Sequence, residues 1–223
     1  DLFHIYTVDA HTLQVLRNIR RMILKKSNDI YPLATKLVAK LPKIELLYIA
    51  GLYHDIGKGR GSDHSNLGKS IAGKFCTRHQ FAEEDKQTVQ WLVVNHLLMS
   101  VKSQKEDLSD PQVISDFAKT VKTKERLNYL YCLTVADVSA TNPNLWNSWN
   151  ASLLSELYTK TLEYLENKNS IILSPKENKA EALMLLETMQ SKDVSKVKNT
   201  WKHFYSDYFE NFNYRDLVLH AKY

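Results

Sequence analysis

The chain has 223 residues, 43% of them hydrophobic and 25% charged, with six glycines and five prolines, a balance that excludes fibrous and disordered classes and allows a large buried core. Its formal charge of +5 rests on 30 basic residues, of which seven are arginine; arginine is the better bidentate reader of phosphates and bases, so the excess reads as a solvated surface and no nucleic acid is expected as a partner. No apolar run reaches the ~20 residues that cross a bilayer, since the best one, 44–53, runs into His54 and Asp55, and no membrane partner is expected either.

Cys76 and Cys132 are too few and too isolated for a disulfide framework. The opening Asp1-Leu2-Phe3-His4 has neither the basic head nor the apolar core of an export signal. Both features point to the cytoplasm.

Apolar residues recur every three or four positions through most of the chain, and sustained alternation is nearly absent, so the fold class is all-α. The first helix is expected over 6–24, with Val8, His11, Val15, Ile19 and Met22 on one stripe. A second begins near Pro32. The third, 44–56, is apolar almost all round, as suits the centre of a bundle; Gly57 and Gly59 stop it, and His54 and Asp55 fall in its last turn. Ser62-Asp63 offers an N-cap for a helix over 64–78, and Glu83-Glu84-Asp85 opens another running to Leu98, with Val89, Leu92, Val93, His96 and Leu97 on one face. A polar loop through Asp110-Pro111 leads to helices at 112–120 and 124–140. The latter aligns Leu127, Leu130, Tyr131, Thr134 and Asp137. Asn142-Pro143 breaks the chain before a long helix over 146–166. A boundary near 167–175 precedes two or three helices rich in Tyr, Phe and Trp, including Tyr205, Tyr208, Phe209 and Phe212, which read as packing against the preceding bundle rather than as a cofactor box.

His11, His54, Asp55, His96 and Asp137 all fall on, or at the ends of, stripes that face the interior. Taken singly they are ordinary: a histidine on an apolar face is more often a hydrogen-bonded core residue than a ligand, and an aspartate can pair with a lysine. Together they pose a problem, because a carboxylate without a partner in an apolar core costs several kcal/mol or takes up a proton. A divalent cation is the common partner that satisfies two carboxylates and several neutral imidazoles. The mixture of His and Asp suits Zn, Mn, Fe or Co better than calcium.

The order His11, then His54-Asp55, then Asp137, each on a helix, resembles the HD superfamily of metal-dependent phosphohydrolases. Four segments sharpen the resemblance toward the uridylyl-removing domains of bacterial nitrogen regulation: 6–12 around His11, Lys58-Gly59-Arg60-Gly61-Ser62-Asp63-His64-Ser65, Asn95-His96-Leu97-Leu98-Met99-Ser100, and 140–149 with Asn142-Pro143 and Trp146. The nucleotidyltransferase and glutamine-sensing ACT domains that accompany such domains have no counterpart in these 223 residues.

The resemblance implies an HD-type helical bundle over 1–168, with a helical extension over 169–223 packed on it. It implies one or two divalent ions (Mn, Mg, Fe, Co or Zn): His11, His54, Asp55 and Asp137 hold the first, and His64 and His96 recruit a second with Asp55 bridging. Asp55, Lys58 and His64 take catalytic roles, and Lys58, Arg60, Asn142 and Trp146 bind substrate. For Lys58 alone, the ordinary reading is a solvated lysine after a glycine turn; for Trp146 and Trp149, core packing of at least one. The implied reaction releases UMP from a uridylylated tyrosine of the PII signalling protein. Two other readings stand beside it: an HD-type hydrolase of free nucleotides or cyclic dinucleotides, and a non-catalytic helical module that binds a partner.

Overall fold

The computed structural model describes residues 7–24, 28–59, 64–141, 146–169, 175–189, 194–205, 208–209, 212 and 214–221. Arg60, Asn142 and the expected N-cap at Ser62-Asp63 lie outside them, and of His64 only the backbone is described. The described residues are helical with no strand. They fall into two compact units, Asp1–Leu165 and Glu166–Tyr223.

In the first unit the centre is α8, Lys124–Thr141, which is buried along most of its length and packs against α1 (Val8–Ile23), α2 (Pro32–Val38), α3 (Ile44–Tyr53), α5 (Glu83–Asn95), α6 (Leu98–Lys105) and α7 (Pro111–Val121). A helix can be surrounded in this way only if nearly every face is apolar, and Leu127, Tyr129, Leu130, Leu133 and Val135 are all shut away from solvent. The α1 stripe is buried from His11 onward: His11, Val15, Asn18, Ile19 and Met22 face inward, whereas Val8, expected on the same stripe, is exposed in the first turn. Asn18 is the polar member of that stripe; its amide donates to the carbonyl of Ala136 at 3.0 Å and ties α1 to α8. The Tyr129 hydroxyl donates to the Lys43 carbonyl at 2.8 Å and accepts from the Lys43 N–H at 3.2 Å, anchoring the entry to α3. Helix α4, His64–Arg78, pairs with α5.

Gly51 sits inside α3, where glycine costs roughly 0.5–1 kcal/mol relative to alanine. A Cβ there would stand 3.0 Å from Cδ1 of Ile19 and 3.4 Å from side-chain carbons of Leu16 and Val15, so the bare backbone lets α1 lie close against α3. Gly59 has φ +77°, a left-handed conformation that glycine adopts without strain, and it lies in the turns that follow α3.

Several boundaries differ from the sequence expectation. Helix α3 ends at Tyr53 and α5 at Asn95, which makes His54 and His96 the C-cap residues rather than members of the last turns. The segment read as a polar loop after Leu98 contains α6; its serines fold inward, Ser100 and Ser103 donating to the carbonyls of Leu97 and Ser100. Helix α7 begins at Pro111, capped by the Asp110 carboxylate accepting from the Gln112 N–H at 2.8 Å. Helix α9 spans Ser148–Asn169.

The second unit holds α10 (Pro175–Thr188), α11 (Val194–Thr200), a 3₁₀ turn at Trp201–His203 and a last helix, Tyr214–His220. Its core is Ala182, Leu186, Val197, Trp201, Phe209, Leu217 and Val218. The Asn178 amide donates to the carbonyls of Phe209 and Phe212. Of the aromatics singled out in the tail, Tyr208, Phe209 and Phe212 pack edge-on or tilted against one another and Trp201 or His220, whereas Tyr205 is 85% exposed.

Candidate metal centre

Four elements deliver the histidines and aspartates to one place. His11 comes from the first turns of α1, His54 and Asp55 from the turn after α3, His96 from the end of α5 and Asp137 from α8. All are buried, at 1%, 2%, 1%, 2% and 6% exposure respectively. At that depth water does not solvate a carboxylate, and the side chains must satisfy each other or share a ligand.

One ligand atom each from His11, His54 and Asp137 lies within 4.8 Å of the others, so these three could hold a metal ion. Nε2 of His11 stands 2.9 Å from Oδ1 of Asp137 and 3.2 Å from Nε2 of His54, and His54 Nε2 is 3.7 Å from that same Asp137 oxygen. Donors held ~2.0–2.2 Å from one ion are separated from each other by roughly 3.0–3.5 Å, which is close to this spacing. Asp55 stands beside the trio. Its Oδ2 lies 3.4 Å from His54 Nε2 and 3.8 Å from His11 Nε2, while its Oδ1 faces His96 Nε2 at 3.6 Å.

The C-cap positions of His54 and His96 have a chemical consequence. In each, Nδ1 lies 2.8 Å from the carbonyl three residues back, Gly51 for His54 and Val93 for His96. A carbonyl can only accept, so Nδ1 carries the hydrogen and Nε2 is left as the basic nitrogen turned to the centre, the orientation that metal-bound histidines use. The same bonds occupy carbonyls that a helix end leaves without an intrahelical donor. His96 Nε2 and Asp55 Oδ1 are buried without a hydrogen-bond partner, and at 3.6 Å they are too far apart to bond each other. A lone pair and a carboxylate oxygen facing each other at that distance, beside a second carboxylate and two more imidazoles, form a donor set that fits a divalent cation.

Lys58 was expected to reach a phosphate; in the structure its ammonium donates to Asp55 Oδ2 at 2.6 Å, with its side chain about a quarter exposed. Trp146 was expected at the substrate. Its indole N–H donates to the Ile30 carbonyl at 3.2 Å and its ring meets Tyr31 edge-on at 5.1 Å. It lines a cavity of about 260 Å³ together with Tyr131, Val135 and Ser152. Val135 and Asp137, two residues apart on α8, project to nearly opposite sides of the helix, so this cavity lies across α8 from the carboxylate. The structure therefore brings together His11, His54, Asp55, Lys58, His96 and Asp137, and Trp146 is not in that group; Trp149 is 69% exposed.

The charges are mutually supporting. Burial opposes ionisation of Asp55 most strongly, yet His54 and Lys58 outweigh it and hold the carboxyl below its ordinary 3.8. For Asp137, burial is again the largest single influence, and the hydrogen bond from His11 with the nearby imidazoles overrides it and lowers the carboxyl. Burial pushes the His96 imidazole down, toward the neutral form that binds metals. Burial acts the same way on His54, but the two carboxylates prevail and raise it. A lowered carboxyl stabilises the fold fully above its unfolded value and loses that contribution as pH falls through the folded value. Denaturation midpoints of metal-free protein should therefore decline as pH drops below about 4, and Asp55→Asn should flatten the decline; a midpoint insensitive to pH there would contradict the ion-pairing described.

Two groups outside the expected set contribute to this geometry. Asn18 ties α1, which carries His11, to the helix that carries Asp137, and its signal is a polar residue inside an apolar stripe. Gly51 supplies the carbonyl that orients His54, and its signal is a glycine inside an otherwise apolar helix.

Comparison with known proteins agrees with the geometry. The family model described as HD domain matches residues 8–142, which contain His11, His54, Asp55, His96 and Asp137. The chain is 49% identical over 225 residues to the bifunctional uridylyltransferase/uridylyl-removing enzyme of Azotobacter vinelandii, covering 100% of this chain and 25% of that protein. Enzymes of the same name from Pseudomonas putida and Pseudomonas entomophila are 50% and 49% identical, each alignment covering 99% of this chain and 25% of the relative. The chain thus spans about a quarter of the length of the curated relatives it matches. With the family model extending over more than half its residues, the chain belongs to the HD domain family.

Proposed function

We propose that the chain is a metal-dependent phosphodiesterase that removes UMP from a uridylylated tyrosine of the PII signalling protein. The observation that carries this reading is the meeting of His11, His54 and Asp137 within 4.8 Å in a chain matched from end to end by enzymes named as uridylyl-removing. His11, His54, Asp55 and Asp137 would hold one divalent ion, Mn, Mg, Fe, Co or Zn. The split orientation of Asp55, one oxygen toward His54 and the other toward His96, supports a bridging role to a second ion at His96 and His64. When bound, such an ion supplies Lewis acidity and brings the pKa of water near 7.

In the reaction, water adds to phosphorus and the bond to the tyrosine oxygen breaks, giving UMP and the tyrosine side chain. The leaving phenol has a pKa of about 10, low enough that activating the nucleophile matters more than protonating the leaving group. The chain's own residues orient and neutralise. The carbonyls of Gly51 and Val93 hold the two imidazoles with Nε2 inward, and burial excludes bulk water. Lys58, bonded to Asp55 and partly exposed, would exchange that contact for a phosphoryl oxygen. By resemblance, Arg60 and Asn142 assist in binding the substrate. The two buried cysteines are free thiols, which supports a reducing compartment, the cytoplasm.

Incubating the 223-residue chain and Mn²⁺ with uridylylated PII, beside a panel of free and cyclic nucleotides, tests the reading. UMP release from PII is the expected result; turnover of the small nucleotides alone would replace it with a different HD hydrolase.

A further inference from the structure

We propose that Gly51 is a positioning residue for the metal centre, and that its missing side chain sets the spacing between His11 and His54. This rests on the metal reading above and adds to it a determinant outside the ligand set. His11 stands on α1 and His54 directly follows α3, so the gap between their Nε2 atoms, 3.2 Å, depends on how closely those helices approach. The approach is made at Gly51, where a Cβ would meet Ile19 at 3.0 Å and Leu16 and Val15 at 3.4 Å. Ile19 and Val15 are fully buried, so a tightly packed core surrounds the atoms that would have to give. The easier accommodation is a small outward shift of α1, which carries His11 with it. Val15 is one turn beyond His11 on the same stripe, so the displacement is passed on almost undiminished.

Gly51 also accepts from His54 Nδ1 at 2.8 Å. Alanine keeps that carbonyl, so Gly51→Ala isolates the effect of the side chain. A glycine inside a helix is a weak helix former, so the gain in helix propensity on Gly51→Ala offsets the packing cost of the added methyl, and a purely structural view expects little net change in stability and none in metal binding. The positioning view expects intact thermal stability with weakened metal binding, and recovery when Ile19→Val removes the Cδ1 atom that the new methyl would meet.

The test is titration of Mn²⁺ into the full chain by calorimetry, with thermal midpoints measured in parallel. Gly51→Ala should raise the Mn²⁺ dissociation constant by about 10-fold, the scale typical of disturbing groups that position metal ligands, with a midpoint close to that of wild type. Gly51→Ala/Ile19→Val should return to within about twofold of wild type, and it decides the matter if the single variant is insoluble. Wild-type affinity in Gly51→Ala, or loss unrelieved in the double variant, overturns this inference alone. Failure of the wild-type chain to take up Mn²⁺ overturns the metal reading and this inference with it.

Discussion

On the proposed uridylyl-removing function, replacing Asp55 with asparagine is expected to lower UMP release by well over 100-fold while leaving the protein folded. Losing a group that merely supports a ligand commonly costs 10–100-fold, and Asp55 is placed to act as a ligand in its own right. It faces His54 and His11 with one oxygen and His96 with the other. Stability should follow a different course. Asp55 is 1% exposed, and asparagine gives up the ion pairing with His54 and Lys58 that outweighs burial, a loss offset in part by the desolvation cost removed with the charge and by Lys58 turning to water. The thermal midpoint of the metal-free protein should therefore fall moderately near neutral pH while activity collapses, both measured on the same preparation. A variant that keeps a tenth of its activity would remove Asp55 from the metal centre, and one that unfolds would show the residue to be structural.

The second large effect concerns the ion itself. Ligand present at a hundred times its dissociation constant stabilises a fold by ~2.7 kcal/mol, and for chains of this size each kcal/mol is worth ~2–4 °C. Saturating Mn²⁺ should therefore raise the midpoint by about 5–10 °C, and a chelator should reverse it. His54→Ala and Asp137→Asn should each abolish the shift. The shift should also shrink between pH 7 and pH 5, because imidazoles must be deprotonated to bind. Differential scanning fluorimetry with and without the ion reads all of this, and a shift that survives His54→Ala would locate the metal elsewhere.

Much of this architecture was legible in the residues because buried stripes leave a periodic trace. The α1 stripe from His11 to Met22 and the aligned face of α8 were readable for that reason, and the interior position of His11 and Asp137 followed from them. The nearly all-apolar α3 suggested the centre of the bundle, whereas only Leu46, Leu47, Ala50 and Gly51 of it are buried, Leu52 is exposed, and α8 holds the centre. Helix α6 was not readable. Its Ser100, Ser103 and lysines read as loop polarity, whereas the serines turn inward and spend their hydroxyls on backbone carbonyls of the preceding turn. The exact ends of α3 and α5 were also hidden, since periodicity does not reveal that a histidine caps a helix through Nδ1. The Lys58–Asp55 bond depends on the turn after α3 bringing positions three apart together. Trp146 carried two readings, a substrate contact and core packing, and tertiary packing sets it against Tyr31, across α8 from Asp137, as the second has it.

The most direct test of the account is anomalous diffraction from crystals of the chain grown with Mn²⁺. The account expects a peak ~2.0–2.3 Å from Nε2 of His11 and His54 and from carboxylate oxygens of Asp55 and Asp137, with both imidazoles still bonded through Nδ1 to their carbonyls. Manganese bound only at the surface, with the two aspartates remaining on Lys58 and His11 alone, would contradict it.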